Sequence, residues 1–86
     1  MINDPLPNGW IQNGQLLTRI FTFIAFKDGL NFVNNVADIA ELHNHHPNIT
    51  INYCKVTLSL TTHDAGALTE KDYALAKAIN ALPLLA

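Results

Sequence analysis

The sequence of 86 residues has few charged side chains and a single cysteine. Charged residues make up 14% of the chain, and five Lys and Arg against seven Asp and Glu give a formal net charge of −2. This balance offers no basic surface to a phosphate backbone, so we expect no direct binding of nucleic acid. With Cys54 as its one cysteine the chain forms no internal disulfide, which favours a reducing compartment.

Long apolar runs are also missing. No stretch approaches the roughly 20 apolar residues that cross a bilayer, and the first ten residues lack the charged head and apolar segment of a secretion signal. We therefore expect a cytoplasmic protein that does not act at a membrane. Yet 49% of the residues are apolar, which excludes a disordered chain. Eighty-six residues are too few for two independent cores, so we expect a single domain over residues 1–86. The apolar excess predicts that this domain buries part of its surface against other copies of itself.

The first third of the chain predicts an irregular lead-in followed by a β-hairpin. Residues 1–8 contain two prolines, a composition that disfavours regular structure. Asn13-Gly14 then supplies the positive φ angles of a tight turn between a strand over residues 10–12 and a longer strand over residues 15–26. Apolar residues occupy both faces of the longer strand, which predicts that both faces are covered.

Two amphipathic helices are predicted from capping residues and from apolar residues at helical spacing. Asp28 can cap the first helix, which must end before Pro47 because a proline disfavours helical geometry in the residue before it. Thr69 and Asp72 have the spacing of a capping box at the start of the second helix, and Pro83 closes that helix.

A second hairpin is predicted between the helices, with strands over residues 49–53 and 56–62 joined by Cys54-Lys55. The economical packing of all six elements is an α+β fold of two layers in the order β-β-α-β-β-α. Its four-stranded, mainly antiparallel sheet carries both helices on one face.

All four histidines fall between residues 43 and 63. His43, His45 and His46 stand where the first helix meets the third strand, and His63 ends the fourth strand. An imidazole has an unperturbed pKa of about 6.5, so paired histidines suit a reaction that needs both an acid and a base near neutral pH. The cluster therefore indicates acid-base chemistry, and dehydration is one such reaction.

Two other interpretations of the histidines stay open. The stretch His43-x-His45-His46, with Glu41 and His63, offers nitrogen and oxygen ligands to zinc or a similar ion, although no cysteine joins them and no standard ligand spacing is met. Histidines at a helix end also bond its free carbonyls, which suits His43 but does not account for His63. We expect neither a metal nor another cofactor.

The stretch from Glu41 to Pro47, Glu-Leu-His-Asn-His-His-Pro, followed at their intervals by Tyr53, His63 and Asp72, resembles the pterin-4a-carbinolamine dehydratases. The resemblance runs from about Trp10 to the last helix, and its spaced pattern is far more specific than a single pair of histidines.

The resemblance implies that His45, His46 and His63 are catalytic and that a pterin is held near the helix-to-strand junction. It implies loss of water from 4a-hydroxytetrahydrobiopterin to give quinonoid dihydrobiopterin, in the recycling of tetrahydrobiopterin. Within this trio we assign His45 and His63 to proton transfer and His46 to binding the pterin. No metal, nucleotide or redox cofactor is needed.

The resemblance also implies partners. We expect a homodimer or a homotetramer, and a link to an aromatic amino acid hydroxylase that supplies the pterin, or to a regulatory protein. Members of this family also stabilise dimers of a homeodomain transcription factor or assist assembly of a photosynthetic carboxylase. A non-catalytic dimerization or assembly cofactor is therefore the alternative function.

Four further positions of the pattern are expected to bind or orient the substrate, and each has a structural alternative. Glu41 lies one turn before His45 and can orient that imidazole, or it can be a solvated side chain. Pro47 can be simply a helix stop, and Asp72 simply part of the capping box. Tyr53, at the end of the third strand, can pack as a core or edge residue.

Overall fold

The computed structural model describes residues 5–83, which form a four-stranded antiparallel sheet and two α-helices. The elements in chain order are β1 (Ile11–Asn13), β2 (Leu16–Thr22), α1 (Phe26–His43), β3 (Asn48–Asn52), β4 (Lys55–Leu60), a short 3₁₀ helix (His63–Ala65) and α2 (Glu70–Asn80). The strands stand in the order β1-β2-β4-β3, and every neighbouring pair is antiparallel. The predicted α+β fold and the predicted order of its elements are confirmed.

Alternation along the strands explains why both helices pack on the same face of the sheet. Successive side chains of a strand point to opposite faces, so every second residue can be apolar and buried. The buried positions of the two central strands are Leu17, Phe21, Val56, Leu58 and Leu60, and they join Phe32, Val36, Leu75 and Ile79 from the helices in one core. The opposite face of the sheet, which we call the open face, carries no helix in the described part of the chain.

The first hairpin turns one residue later than predicted. Asn13 pairs with Leu16, so the turn consists of Gly14 and Gln15 rather than Asn13 and Gly14. Gly14 has a φ of +62°, which a glycine adopts without steric cost at the first position of a two-residue turn.

The second hairpin turns one residue earlier than predicted. Asn52 pairs with Lys55, so Tyr53 and Cys54 form the turn, where Cys54-Lys55 had been predicted. Tyr53 therefore does not end the third strand. It has a φ of +55°, an uncommon left-handed conformation for a residue with a bulky side chain.

β2 is shorter than the predicted strand over residues 15–26. It ends at Thr22, and α1 begins at Phe26 with Ala25 as its N-cap, so Asp28 lies in the first turn rather than at the cap. The ladder ends because the last paired residues are Thr22 and Lys55, where the partner strand β4 begins. Beyond this pair the N–H of Phe23 donates to the carbonyl of Cys54, in the β3–β4 turn, at 2.9 Å. The apolar alternation nevertheless runs on, and Ile24 is left 99% exposed.

The end of α1 and the start of α2 agree with their sequence signals. α1 stops at His43, before Pro47, and α2 begins after Thr69 with both hydrogen bonds of the predicted capping box. Neither helix of the described residues is long and apolar enough to cross a membrane.

The described part of the lead-in is irregular, as predicted, but it is tied to the end of α2. Asn80 Oδ1 accepts hydrogen bonds from Trp10 Nε1, at 2.9 Å, and from Arg19 Nη1, at 2.6 Å. Its amide Nδ2 donates to the carbonyl of Asn8 at 3.0 Å. The guanidinium of Arg19 also lies 4.4 Å from the ring centre of Phe21. Residues 1–4 of the predicted lead-in lie outside the described residues.

Replacing Asn80 should destabilise the fold. Asn80→Ala removes the acceptor of Trp10, whose side chain is buried, and we expect the free energy of unfolding to fall by about 1–3 kcal/mol. Urea denaturation measures the loss. Asn34→Ala, at an exposed position of α1, is the control and should change stability by no more than about 0.5 kcal/mol. An Asn80→Ala loss as small as that of the control would contradict the role of this cluster.

Candidate active site

The end of α1 directs the chain towards α2. Asn44 takes the left-handed conformation, with φ +51°, and its N–H donates to the carbonyl of Glu41 at 3.2 Å. The N–H of His45 donates to the carbonyl of Ala40 at 3.1 Å. These two bonds form a Schellman motif, which satisfies free carbonyls of the helix and reverses the chain. His45 therefore leaves the axis of α1, and Pro47 then prevents the helix from resuming.

His45 pairs with a buried carboxylate at the start of α2. Its Nε2 lies 2.6 Å from Oδ1 of Asp72; the His45 side chain is 11% exposed and that of Asp72 is fully buried. Asp72 stands there because it belongs to the capping box, in which its Oδ2 accepts the N–H of Thr69 at 2.9 Å. One carboxylate thus caps α2 with one oxygen and holds His45 with the other.

The hydrogen bonds of Asp72 determine which nitrogen of His45 is available for chemistry. Oδ2 accepts from the N–H of Thr69 and from the hydroxyl of Thr62, at 2.8 Å. Because a carboxylate only accepts, Oδ1 takes the Nε2–H of His45, and in the neutral ring the lone pair then resides on Nδ1. Nδ1 has no hydrogen-bond partner among residues 5–83, and these residues contain no buried side-chain nitrogen or oxygen without one. Nδ1 therefore reaches solvent.

His46 is held by Glu41 rather than by the sheet. Its Nε2 hydrogen-bonds to Oε2 of Glu41, and both side chains are largely exposed. The prediction that Glu41 orients His45 was wrong. The helix ends at His43, so the regular spacing of one turn no longer applies, and the reversal places His46 beside Glu41 instead.

His63 reaches the same cleft from the sheet. β4 ends at Leu60, earlier than the predicted strand over residues 56–62, and His63 begins the 3₁₀ helix. The cleft has a volume of about 310 Å³, and its lining residues are Asn44, His45, His46, Thr61, Thr62, His63, Asp64 and Lys71. The structure thus brings His63 together with the adjacent pair His45 and His46, from which it is separated along the chain.

A smaller pocket continues from the histidines onto the open face of the sheet. It has a volume of about 140 Å³ and is lined by Leu16, His46, Asn48, Ser59, Thr61 and His63. His46 and His63 border both spaces, so a flat ligand between these two rings is within reach of the sheet surface.

A larger cleft adjoins the histidine cleft, but none of the histidines lines it. Its volume is about 550 Å³, and it shares Thr62, Asp64 and Lys71 with the histidine cleft. Size alone does not make it the reaction site, because it offers no imidazole for proton transfer.

None of the four predicted binding residues lines the histidine cleft, and only Glu41 and Asp72 hydrogen-bond to histidines that do. Pro47 is half-buried and follows His46 directly, where it serves the chain reversal. Tyr53 is 84% exposed at the β3–β4 turn. The register places Asn48 at the cleft end of β3 and Asn52 at the other end, about 13 Å away at the usual rise of a strand. Tyr53 therefore stands apart from the cleft of its own chain.

Thr62 is the site residue that the sequence interpretation missed. It continues the buried series of Val56, Leu58 and Leu60, in which each second residue points to the core. The available signal was a hydroxyl in a row of aliphatic residues. Lys71 also lines the cleft, and nothing in the sequence indicated this beyond its being a polar residue.

The two carboxylates nearest the histidines are not gathered around one point. Within residues 5–83, no group of three or more His, Cys, Asp and Glu side chains is placed to hold a metal ion. Asp72 and Glu41 each hydrogen-bond to a different histidine, which accounts for this arrangement.

A family model and many named proteins are similar to this chain. The model described as pterin 4 alpha carbinolamine dehydratase matches residues 2–82. A protein of Thermomicrobium roseum is 51% identical over 69 residues, which are 80% of this chain and 74% of the relative. A protein of Sulfurisphaera tokodaii is 47% identical over 74 residues, which are 86% of this chain and 80% of the relative. Both are named as candidate pterin-4-alpha-carbinolamine dehydratases.

Solved structures share the fold. A transcriptional coactivator/pterin dehydratase from Brucella melitensis superposes with a TM-score of 0.79 at 31% identity, over 92% of this chain and 84% of its own. A pterin dehydratase-like protein, described as a RuBisCO assembly factor in the alpha-carboxysome, gives a TM-score of 0.67 over 84% of this chain and 83% of its own. At 23% identity the latter is evidence for the fold alone.

Proposed function

The chain belongs to the pterin-4a-carbinolamine dehydratase family, and from this we propose that it removes water from 4a-hydroxytetrahydrobiopterin to give quinonoid dihydrobiopterin, in the recycling of tetrahydrobiopterin. The observation that supports this most is the arrangement of one cleft. His45, His46 and His63 line it together, and His45 is held there by a buried carboxylate.

The reaction needs an acid at the C4a hydroxyl and a base at N5. When the hydroxyl is protonated, the N5 lone pair expels it as water, and the base takes the N5 proton to leave the quinonoid ring. One proton is given and one is taken, so the products are the dihydropterin and water. Because the loss of water also occurs unaided, positioned acid-base groups need to supply only a factor of about 10² to 10⁴.

We assign the base to His45 and the acid to His63. Nδ1 of His45 holds a lone pair and reaches solvent, and Asp72 stabilises the imidazolium that forms when Nδ1 takes the N5 proton. His63 is exposed, so its ring exchanges protons with water between turnovers. His46, held by Glu41 at the border of both pockets, orients the pterin. Because the step is a loss of water assisted by one acid and one base, it requires no metal, nucleotide or redox group.

The direct test is to mix purified protein with chemically generated 4a-carbinolamine and follow the absorbance of the quinonoid product. We expect product to form well above the rate in buffer. If it forms no faster than in buffer, the proposed activity is wrong. Elemental analysis of the purified protein addresses the zinc alternative, since a three-histidine catalytic site would carry close to one metal ion per chain.

Glu41→Gln should have a modest effect that falls mainly on KM. The Glu41–His46 pair is exposed, so water replaces much of the lost interaction, and we expect kcat/KM to fall by less than about tenfold. Steady-state kinetics separate kcat from KM. Asp38→Asn, at an exposed position of the same helix, should leave both constants unchanged. A large loss of kcat in Glu41→Gln would place Glu41 in proton transfer and contradict its assignment to orientation.

We also propose that the protein is a homodimer or a homotetramer. The open face of the sheet exposes Ile11, Leu16 and Ile20, of which Ile20 is 59% exposed. Large apolar side chains grouped on one face are typical of an interaction surface. Light scattering after size-exclusion chromatography gives the mass directly, and a monomer at micromolar concentration would contradict the proposal.

The alternative function is a non-catalytic dimerization or assembly cofactor of another protein. The same open face supports it, since a partner protein can cover those side chains in place of a second copy. A protein used only in this way has no need of the three histidines that line one cleft. Absence of turnover in the carbinolamine assay, together with an intact fold, would favour this alternative.

A further inference from the structure

Thr62 places a hydroxyl where the core pattern of β4 calls for an aliphatic side chain. Val56, Leu58 and Leu60 point into the core and are fully buried, and Thr62 follows in the same series at 8% exposure. A buried hydroxyl costs free energy unless it is hydrogen-bonded, whereas valine has the same shape and carries no such cost. Packing alone therefore does not account for threonine at this position.

The hydroxyl of Thr62 belongs to a chain of hydrogen bonds whose directions can be assigned. It donates to Oδ2 of Asp72 at 2.8 Å, because the carboxylate only accepts. A hydroxyl has one proton, so the contact with Thr69 Oγ1 at 2.7 Å must be donated by Thr69. Thr69 Oγ1 in turn accepts the N–H of Lys71 at 3.3 Å. The chain therefore runs from the first turn of α2 through Thr62 to Asp72.

This hydroxyl is not required by the capping box or by the 3₁₀ helix. The capping box is complete with the side chains of Thr69 and Asp72. The backbone of Thr62 anchors the 3₁₀ helix independently, since its carbonyl accepts the N–H groups of Ala65, at 3.1 Å, and Gly66, at 3.0 Å. What the side chain adds is a second donor on Oδ2 of Asp72.

We propose that Thr62 is a positioning residue that acts through Asp72 to hold His45 in the Nε2–H tautomer. With the Thr62 hydroxyl and the Thr69 N–H both on Oδ2, the carboxylate is held in one orientation and Oδ1 is left for His45. Without the hydroxyl, the carboxyl group can rotate, and the preference of His45 for one tautomer weakens. The carbonyl of Thr62 also anchors the 3₁₀ helix that begins at His63, so Thr62 contacts the supports of both groups assigned to proton transfer.

The effect on turnover rests on the proposed function, but the effect on the tautomer does not. Nitrogen-15 NMR of the imidazole rings reports the tautomer of His45 in the full-length protein without any substrate. In the wild-type protein we expect the Nε2–H form. A wild-type His45 that carries its proton on Nδ1 would overturn the proposal, and this measurement requires no variant to fold.

The variants test the hydroxyl itself. Thr62→Val removes the hydroxyl without changing the shape of the side chain. We expect a mixture of His45 tautomers, because the carboxylate of Asp72 is then held less firmly. We also expect kcat to fall by about tenfold with KM changed by less than about twofold, as for loss of a group that orients a reactive histidine. Thr62→Ser keeps the hydroxyl and should restore both the tautomer and kcat. Thr57→Val, on the opposite face of β4, is the control and should match the wild type.

The outcomes separate the two proposals. A change of tautomer in Thr62→Val, with no dehydratase activity in any form of the protein, would support the positioning role and refute the proposed function. An unchanged tautomer in a folded Thr62→Val, or a Thr62→Ser variant that behaves like valine, would overturn the positioning role.

Discussion

Asp72→Asn is expected to abolish most turnover and to destabilise the fold at the same time. The amide must place its NH₂ group either against Nε2–H of His45 or against the two donors on Oδ2, so at least one buried donor loses its acceptor. We expect the free energy of unfolding to fall by about 1–3 kcal/mol. If the amide carbonyl stays with Thr62 and Thr69, His45 is driven to the wrong tautomer, and kcat should fall by about 10² to 10⁴, as for loss of His45 itself.

The carbinolamine assay and urea denaturation measure these two effects separately. Asp28→Asn is the matched control. Asp28 is also an acidic residue in the first turn of a helix, but it lies at the start of α1, whereas the cleft histidines His45 and His46 follow the end of that helix. It should lower stability by about 0.3–1 kcal/mol and leave kcat unchanged. If Asp72→Asn lowers stability but keeps kcat within tenfold of the wild type, Asp72 is a helix cap and has no part in catalysis.

The features that the sequence predicts well are those determined by neighbouring residues. The start of α2 depends on Thr69 and Asp72, three residues apart, and the end of α1 depends on the nearby Pro47. Such signals act within one turn of helix, so they need no knowledge of the rest of the fold. The positions of these helix ends were therefore predicted correctly.

The features that the sequence predicts poorly depend on partners far along the chain. β2 ends at Thr22 because β4 begins at Lys55, and nothing within residues 15–26 indicates where the partner strand begins. The turn at Tyr53 moved by one residue for the same reason, since the register of a hairpin is determined by both of its strands. Apolar alternation alone does not show where a strand loses its neighbour.

In the histidine cleft, too, features determined by neighbouring residues were predictable and features determined by distant partners were not. The pattern of His45, His46 and His63 indicated which side chains would matter, and the structure places them in one cleft. Their hydrogen-bond partners were not predictable, because the His45–Asp72 bond spans 27 residues. The role of Asp72 as a cap was visible in the sequence, whereas its second contact with Thr62 required the packing of α2 against the end of β4.

His45→Ala and His63→Ala should each lower kcat by about 10² to 10⁴ with smaller changes in KM, because each removes a group that acts on a proton in the transition state. The double variant should lose less than the product of the two single losses, since acid and base act in the same step.

His43→Ala is the control: His43 lies in the last turn of α1, outside the residues that line the cleft, and should change stability by about 0.3–1 kcal/mol without affecting kcat. Single-turnover measurements with chemically generated carbinolamine separate the chemical step from product release. Full activity in both single variants would contradict the proton-transfer roles, and a loss of kcat in His43→Ala would place the reaction at a different histidine.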